Sequence, residues 1–216
     1  MAVAVDTAWV PPAGTWQLGL NGDSRGNGLG LIGWSASNIF QFQVSGGVFN
    51  TIEPRSALVN TYAFNGGFNT RFGGKLVSFS PLRGAPISGG GRISLGRTWG
   101  NTNQGYLYTE LMQTWEANPA LALSLSQKLA LSGISTPWGI GLAANLQLGR
   151  SFQLIPEGVL VGSDLASSNG TLALRWLASP STYLDLYAST AAGLLDLGTL
   201  LPSNQVRVGL RLNVLL

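Results

Sequence analysis

The feature that most constrains this chain is a two-residue alternation between aliphatic and non-aliphatic side chains. It is clearest at the C-terminus, where the aliphatic positions are Val206, Val208, Leu210, Leu212, Val214 and Leu216. The positions between them include Arg207, Arg211 and Asn213. Because successive side chains of a β-strand point to opposite faces, this stretch predicts a strand with one aliphatic and one polar face.

The same alternation recurs in earlier segments of the chain, at 16–21, 40–45, 121–131, 141–148, 171–176 and 183–188. Turn-forming residues separate these segments, for example Asn118 with Pro119 and Ser179 with Pro180. Helical periodicity is hard to find, and glycine is spread through the predicted strands, which disfavours long helices. The sequence therefore predicts an all-β, antiparallel sheet with local connections.

Composition decides which face of this sheet meets water. Only 10 % of the residues are charged, against about 25 % in a typical protein. The non-aliphatic faces consist mainly of Gly, Ala, Ser, Asn and Gln, which suit a crowded interior better than a wet exterior. The pattern favours a membrane barrel, with aliphatic side chains toward lipid and polar ones toward the lumen. A soluble β-sandwich or lectin-like binder, with the opposite arrangement, is the alternative.

Tryptophan placement agrees with a membrane barrel. Five predicted strand ends carry one, at Trp16, Trp34, Trp115, Trp138 and Trp176. Trp and Tyr are enriched where a bilayer meets water, so we predict that these five side chains form membrane-interface girdles. The alternative is that they cover an ordinary hydrophobic core.

Strand counting predicts a transmembrane, antiparallel, up-and-down β-barrel of twelve strands, with ten or fourteen as alternatives. The strands are expected near 14–21, 27–35, 38–46, 56–65, 89–98, 104–115, 120–131, 137–149, 151–162, 170–178, 182–190 and 205–216. Residues 14–216 would form the single barrel domain, after an N-terminal periplasmic lead at 1–13. Residues 66–88 hold too much chain for a turn, and we expect them either to add strand or to fold into the lumen.

Several residue types and motifs are absent. The chain has no Cys and no His, which removes thiolate chemistry, disulfides and the commonest general base and metal ligand. No 18-residue stretch is apolar throughout, and the basic residues occur singly, which disfavours a nucleic-acid partner. We therefore predict no cofactor, no metal site and no enzymatic activity. The remaining enzymatic alternative is a carboxylate pair, if Glu110 and Asp185 meet across a lumen.

The chain resembles bacterial outer-membrane β-barrels of the porin type over nearly its whole length. The stretches Thr182–Ala188 and Ser203–Leu212 resemble the closing hairpin of barrels from photosynthetic bacteria. One departure is the C-terminus, because barrels of this class usually end in an aromatic residue and this chain ends in Leu215 and Leu216. Natural variation, truncation or an engineered pore would each account for it. The resemblance implies a place in the bacterial outer membrane, with the lipid bilayer as a partner.

Seven charged residues have the parity of lumen-facing side chains, namely Arg92, Glu110, Lys128, Arg175, Asp185, Arg207 and Arg211. Five are basic and two acidic, and basic rings favour anions. We therefore predict a passive pore for small solutes or ions with a mild anion preference, acting as a monomer or small homo-oligomer. The alternative is a plugged structural or interaction barrel. There the lumen charges pair with one another, as Arg211 with Asp185, and apolar outer loops at 47–55 and 191–204 bind a partner or lipid.

Overall fold

The computed structural model of this chain describes residues 6–50, 65–78, 87–99, 105–133, 136–162 and 167–216. Over these residues the secondary structure is almost entirely extended. The strands are β1 (Trp16–Asp23), β2 (Gly28–Ser37), β3 (Phe40–Asn50), β4 (Asn65–Val77), β5 (Ile87–Trp99), β6 (Gly105–Asn118), β7 (Leu121–Ser132), β8 (Trp138–Leu148), β9 (Phe152–Gly162), β10 (Ser167–Ser179), β11 (Thr182–Ala191) and β12 (Pro202–Leu215). In these ranges, no helix is long and apolar enough to cross a membrane.

The twelve strands form one closed antiparallel barrel in which each strand pairs with its neighbours in sequence. The barrel closes where β1 pairs with β12, with Gln17 opposite Leu215 and Asp23 opposite Gly209. The predicted fold class and strand number are confirmed. We call the end that holds the short turns and the ends of β1 and β12 at Trp16 and Leu215 the turn end, and the opposite end the loop end.

One strand lies elsewhere than predicted. The fourth strand was expected at 56–65, whereas β4 is Asn65–Val77 and occupies the first half of the 66–88 region. Most of 56–65 lies outside the described residues. The outward face of β4 carries Phe68, Phe72 and Leu76, but Thr70 and Gly74 stand between them. These two residues break the aliphatic row, which is why the alternation of this strand is weak in the sequence.

The two faces of the strands differ as expected for a barrel that spans a membrane. Leu210 on β12 is 52 % exposed on the outside, while its neighbour Arg211 is buried on the inside. The five predicted tryptophans all lie on the outer surface, between 39 % and 49 % exposed. Trp16, Trp34, Trp115 and Trp176 lie near the turn end and Trp138 at the loop end. Their role at the bilayer interface stays a prediction.

Two segments outside the strands enter the barrel. The lead segment, residues 6–15, precedes β1, and its residue Asp6 is buried among lumen side chains. The described part of the region predicted as a periplasmic lead therefore reaches into the barrel from the turn end. The plug segment, residues 192–201, connects β11 to β12 and contains a short 3₁₀-helix, Asp196–Leu200. It folds into the loop end of the lumen.

We predict that Leu210→Arg destabilises the barrel by about 2–4 kcal/mol, because it places a charge on the lipid face near the middle of β12. The measurement is the urea dependence of reversible folding into lipid vesicles. Leu216→Arg is the matched control, since Leu216 is also exposed but follows the last strand at the turn end. Equal losses in the two variants would contradict the orientation of β12.

Candidate channel lumen

A row of charged side chains crosses four neighbouring strands at one level of the lumen. Lys75 of β4 lies opposite Arg92 of β5, Arg92 opposite Glu110 of β6, and Glu110 opposite Lys128 of β7. Glu110 Oε2 accepts a hydrogen bond of 2.6 Å from Arg92 Nη2, and its Oε1 lies 3.7 Å from Lys128 Nζ. All four side chains are buried. This charged row follows directly from cross-strand pairing, because residues opposite each other on one face are in contact.

Asp196 of the plug segment neutralises the basic side of this row. Its Oδ1 lies 3.1 Å from Arg71 Nη1 and 3.0 Å from Arg92 Nη2. The Ser94 hydroxyl donates a short hydrogen bond to Oδ2. The Asp196 side chain is completely buried, so its charge depends on these three partners for stabilisation. The plug segment therefore supplies the carboxylate that sits between the two arginines.

Asp6 of the lead segment reaches the same row from the turn end. Lys75 Nζ donates to Asp6 Oδ1 over 2.9 Å, and Arg92 Nη1 donates to Oδ2 over 3.1 Å. Burial raises the pKa of the Asp6 carboxyl group, but the charges of Lys75 and Arg92 outweigh burial and hold that pKa well below its usual value. Arg92 thus contacts a carboxylate from the lead, one from the plug and one from β6.

A chain of glutamine side chains orients Arg71. Arg71 Nη2 donates to Gln43 Oε1 over 2.6 Å, Gln43 donates to Gln41 over 2.9 Å, and Gln41 donates to Gln17 over 3.0 Å. The three amides are buried on the inner faces of β1 and β3. Because a fully bonded amide chain has few alternative arrangements, it fixes the guanidinium group of Arg71 toward the lumen axis.

A second group of ion pairs lies on β10, β11, β12 and β1, at or near the seam where β1 pairs with β12. Arg175 donates from Nε to Asp185 Oδ1 over 2.6 Å and from Nη2 to Oδ2 over 2.9 Å. Asp185 also lies opposite Arg211 in the β11–β12 register, but its two short bonds are with Arg175. Arg207 lies 3.5 Å from Asp23 and donates a short hydrogen bond to the carbonyl oxygen of Ala192.

All seven predicted lumen residues lie inside the barrel with buried side chains, and their role as pore lining stays a prediction. The strands also place four charges inside that the sequence reasoning missed, namely Asp23, Arg71, Lys75 and Glu157. Asp6 and Asp196 are further additions. Arg71 and Lys75 share inward parity on β4, so a correctly placed fourth strand would have found them. The signal for Asp196 was its position as the one charge in the apolar stretch 191–201.

The described strands therefore carry seven basic and four acidic buried side chains on their inner faces. The basic ones are Arg71, Lys75, Arg92, Lys128, Arg175, Arg207 and Arg211. The acidic ones are Asp23, Glu110, Glu157 and Asp185. Seven against four leaves three positive charges on the wall, and the two inserted carboxylates, Asp6 and Asp196, reduce the excess to one. In this structure the lumen is close to neutral.

The plug segment is a compact loop that closes on itself. Ala192 N–H donates to the carbonyl oxygen of Leu201 over 2.7 Å, and Gly193 N–H donates to that of Gly198 over 3.0 Å. A side chain at Gly198 would come within 2.7 Å of the Gly193 backbone, so this close approach needs glycine. Asp196 has a φ of +45°, a left-handed conformation that Asp adopts more readily than most residues. Because the loop ends meet, the segment enters the lumen as one unit.

Part of the wall that faces the plug segment is apolar, which differs from the expected small polar interior. Inward-facing Ile155, Val159 and Val161 of β9 form a buried cluster with the plug leucines, and the cluster continues through Ala130, Ala173, Leu194, Leu197, Leu200 and Leu201. Strand β9 thus carries aliphatic residues on both faces. The apolar loop at 191–204, which the alternative hypothesis assigned to binding a partner or lipid, is buried in the lumen over its plug residues.

The barrel wall is shaped to receive the plug segment. A side chain at Gly139 of β8 would come within 2.7 Å of Leu200 Cδ2, so a glycine at this wall position makes room for the leucine. Thr199 is held on two sides, because Lys128 Nζ donates to its hydroxyl over 3.0 Å and Asn169 donates to its carbonyl oxygen over 2.9 Å. Polar and apolar contacts together therefore fix both faces of the loop.

These contacts pack the plug segment tightly into the loop end of the lumen. Leu197, Thr199, Leu200 and Leu201 are completely buried. Two interior cavities beside the plug segment measure only about 20 and 10 Å³, roughly the space of one water molecule each. One is lined by Leu29, Leu31 and Leu194 among others, so the plug segment leaves little free space beside these wall residues.

The geometry does not assemble a carboxylate pair for acid–base chemistry from Glu110 and Asp185. Glu110 is engaged by Arg92 and Lys128, whereas Asp185 is engaged by Arg175 on another part of the wall. In the described ranges, no three acidic side chains come together as a metal site would need.

Comparison with known proteins identifies the fold. No protein-family model matches the sequence, and no curated protein matches it. Among solved structures, the KdgM porin superposes with a TM-score of 0.67 at 8 % identity, covering 93 % of this chain and 98 % of that one. An outer-membrane channel from Pseudomonas putida F1 has a TM-score of 0.64 at 9 % identity, covering 97 % and 98 %. The NanC porin has a TM-score of 0.61 at 8 % identity, covering 92 % and 98 %.

This chain therefore has the twelve-strand fold of bacterial outer-membrane porins and channels. Identities of 8–9 % support a shared fold, but they do not identify a solute. The similar structures are channels rather than enzymes.

We predict that Asp185→Ala destabilises the protein by about 3–5 kcal/mol, because it leaves the buried guanidinium of Arg175 without its bidentate partner. The measurement is urea unfolding in lipid vesicles. The double variant Arg175→Met with Asp185→Leu is the control, and it should recover most of the loss since it removes both charges. A double variant as unstable as Asp185→Ala would show that packing, and not the unpaired charge, causes the loss.

A pH dependence follows from Asp6. Its pKa is lower in the folded than in the unfolded protein, so its contribution is fully present above the unfolded pKa of about 4 and is lost as the pH falls. We expect Asp6→Asn to lower the free energy of unfolding by on the order of 2 kcal/mol at pH 7, with a difference that shrinks steadily below about pH 4. Exposed Glu116, changed to Gln, is the matched control. A difference that stays constant down to pH 2 would contradict the ion pairs of Asp6.

Proposed function

We propose that this protein is a passive channel for small solutes or ions, held closed by its plug segment. The observation that carries the proposal is the way residues 192–201 occupy the lumen. They fill it as a self-closed loop that has no place in the strand ladder, and Asp196 and Thr199 attach it to side chains of the wall. Its removal would leave all twelve strands paired. A barrel of twelve strands is wider than the eight-strand size that side chains alone can fill, so an unplugged lumen would hold water.

The wall charge supports a mild anion preference in the open channel. The described strands contribute seven basic and four acidic buried inner side chains, and the near-neutral state depends on Asp6 and Asp196. When the plug segment withdraws Asp196, Arg71 and Arg92 lose one anionic partner each. The resulting excess of positive charge would attract anions and repel cations.

The porin-like fold supports a place in the bacterial outer membrane, with the bilayer and small solutes as partners and no enzymatic activity. We propose that the protein acts there as a monomer or small homo-oligomer. The tight packing of the plug segment in the loop end of the lumen favours a second candidate, a permanently plugged barrel with a structural or interaction role. In that case any partner would bind at loops other than residues 192–201, because these are buried.

The test is single-channel conductance in planar bilayers. We expect the wild-type protein to be closed for most of the time and Asp196→Asn to raise the open probability at least tenfold. The reason is that the neutral side chain no longer bridges Arg71 and Arg92. A salt gradient should give a reversal potential on the anion side. Replacing residues 193–200 by a Gly/Ser linker of equal length should give a permanently open pore.

The matched control is Glu116→Gln, the same chemical change on an exposed residue near the turn end, and it should conduct like the wild type. Folded plug-replacement protein that passes no current would overturn the channel proposal and favour the plugged barrel. Folding is checked by heat-modifiable migration on gels.

A further inference from the structure

We infer that the lumen contains a binding site for an amphipathic organic carboxylate, a solute with one carboxylate group and a branched or cyclic apolar body. The plug segment occupies this site in the closed protein, with Asp196 in place of the solute carboxylate and the plug leucines in place of its body. The inference rests on the proposed function, since such a solute would be the one that replaces the plug and passes through the barrel.

The carboxylate half of the site consists of Arg71, Arg92 and Ser94. The two arginines contact the Asp196 carboxylate only through their Nη atoms. The Nε atoms of Arg71 and Arg92 are also buried, and they have no hydrogen-bond partner in the described part of the chain. A guanidinium group binds a carboxylate best through two parallel N–H bonds, and a free carboxylate can rotate to engage an Nε–Nη pair. Asp196 is tethered to the plug backbone and does not reach that arrangement.

The apolar half lies on the inner face of β7–β10, and the neighbouring plug residues Asp196 and Leu197 connect it to the arginines of β4 and β5. Ile155, Val159 and Ala173 enclose Leu197 and Leu200 there, and Gly139 leaves room for the Leu200 side chain. Removal of the leucines would expose a branched-chain-sized apolar surface inside the barrel. A solute with an apolar body would cover that surface, whereas a polyhydroxylated body would leave its own hydroxyl groups without partners.

The two halves together determine the expected selectivity. An uncharged apolar molecule would leave Arg71 and Arg92 buried without the Asp196 carboxylate, which is unfavourable. A hydrophilic carboxylate would satisfy the arginines but not the wall of β9. Only a molecule with both features reproduces the contacts that the plug segment makes. Binding of the solute carboxylate would also stabilise the open channel, because it replaces the anionic partner that the arginines lose when Asp196 withdraws.

The test is isothermal titration calorimetry on nanodisc-embedded protein in which residues 193–200 are replaced by a Gly/Ser linker. The probe is 4-methylpentanoate, which joins a carboxylate to a leucine-like body. The comparison ligands are gluconate, which has the carboxylate without the apolar body, and 4-methyl-1-pentanol, which has the body without the charge. We expect 4-methylpentanoate to bind at least tenfold more tightly than either. Adding Arg71→Ala should weaken it at least tenfold, and Arg97→Ala, on the exposed outer face, should not.

Equal binding of gluconate, or binding unchanged by Arg71→Ala in folded protein, would overturn the inference. If the linker variant does not fold, full-length Asp196→Asn serves instead, and the same ligand order is expected there. Binding and conductance separate the two proposals. A protein that binds 4-methylpentanoate in this order but conducts no ions would refute the channel and retain the site. A protein that conducts but binds the three ligands equally would refute the site alone.

Discussion

The neutralisation of buried positive charge is the constraint on which this structure depends. In the described strands seven basic side chains are buried inside the barrel, and an unpaired buried charge is strongly unfavourable. The same strands supply four buried carboxylates. The remaining balance comes from Asp6 and Asp196, which belong to segments outside the strand ladder. The two segments outside the strand ladder therefore compensate part of the buried wall charge.

The lumen has two unlike sides, and the plug segment matches both. The inner faces of β3–β6 carry Arg71, Lys75 and Arg92 with their glutamine chain, while β9 contributes Ile155 and Val159. Residues 196–201 are amphipathic at the scale of a few residues, with one carboxylate and several leucines. A uniformly polar lumen would not retain those leucines, and a uniformly apolar one would reject the carboxylate. The pairing of the two sides explains why the loop folds inward.

The features of the outer surface could be predicted from the sequence, whereas several features of the lumen could not. A lipid environment favours an apolar exterior, so the outward rows of β12 and most other strands, the strand number and the parity of Arg92 or Arg175 could all be predicted. The inner face does not follow one composition. The inward Val159 and Val161 make β9 apolar on both faces, and no local sequence pattern indicates that these two residues face the lumen. The fit between Gly139 and Leu200 joins residues sixty-one positions apart, which no alternation pattern reveals. The weak signal of β4 had the opposite cause, because Thr70 and Gly74 break its lipid-facing row.

The position of the two inserted carboxylates along the chain has a consequence for biogenesis. Asp6 precedes the first strand and Asp196 precedes the last, and these two strands form the closing seam. A barrel in which β12 is unpaired would hold the arginines of β4 and β5 without the plug segment enclosed opposite them. Pairing of β1 with β12 would therefore close the barrel and complete the compensation of the interior charge together. An incompletely paired sheet would expose cationic side chains to lipid, which is energetically unfavourable. The charged row therefore disfavours insertion of an open sheet and favours the closed barrel.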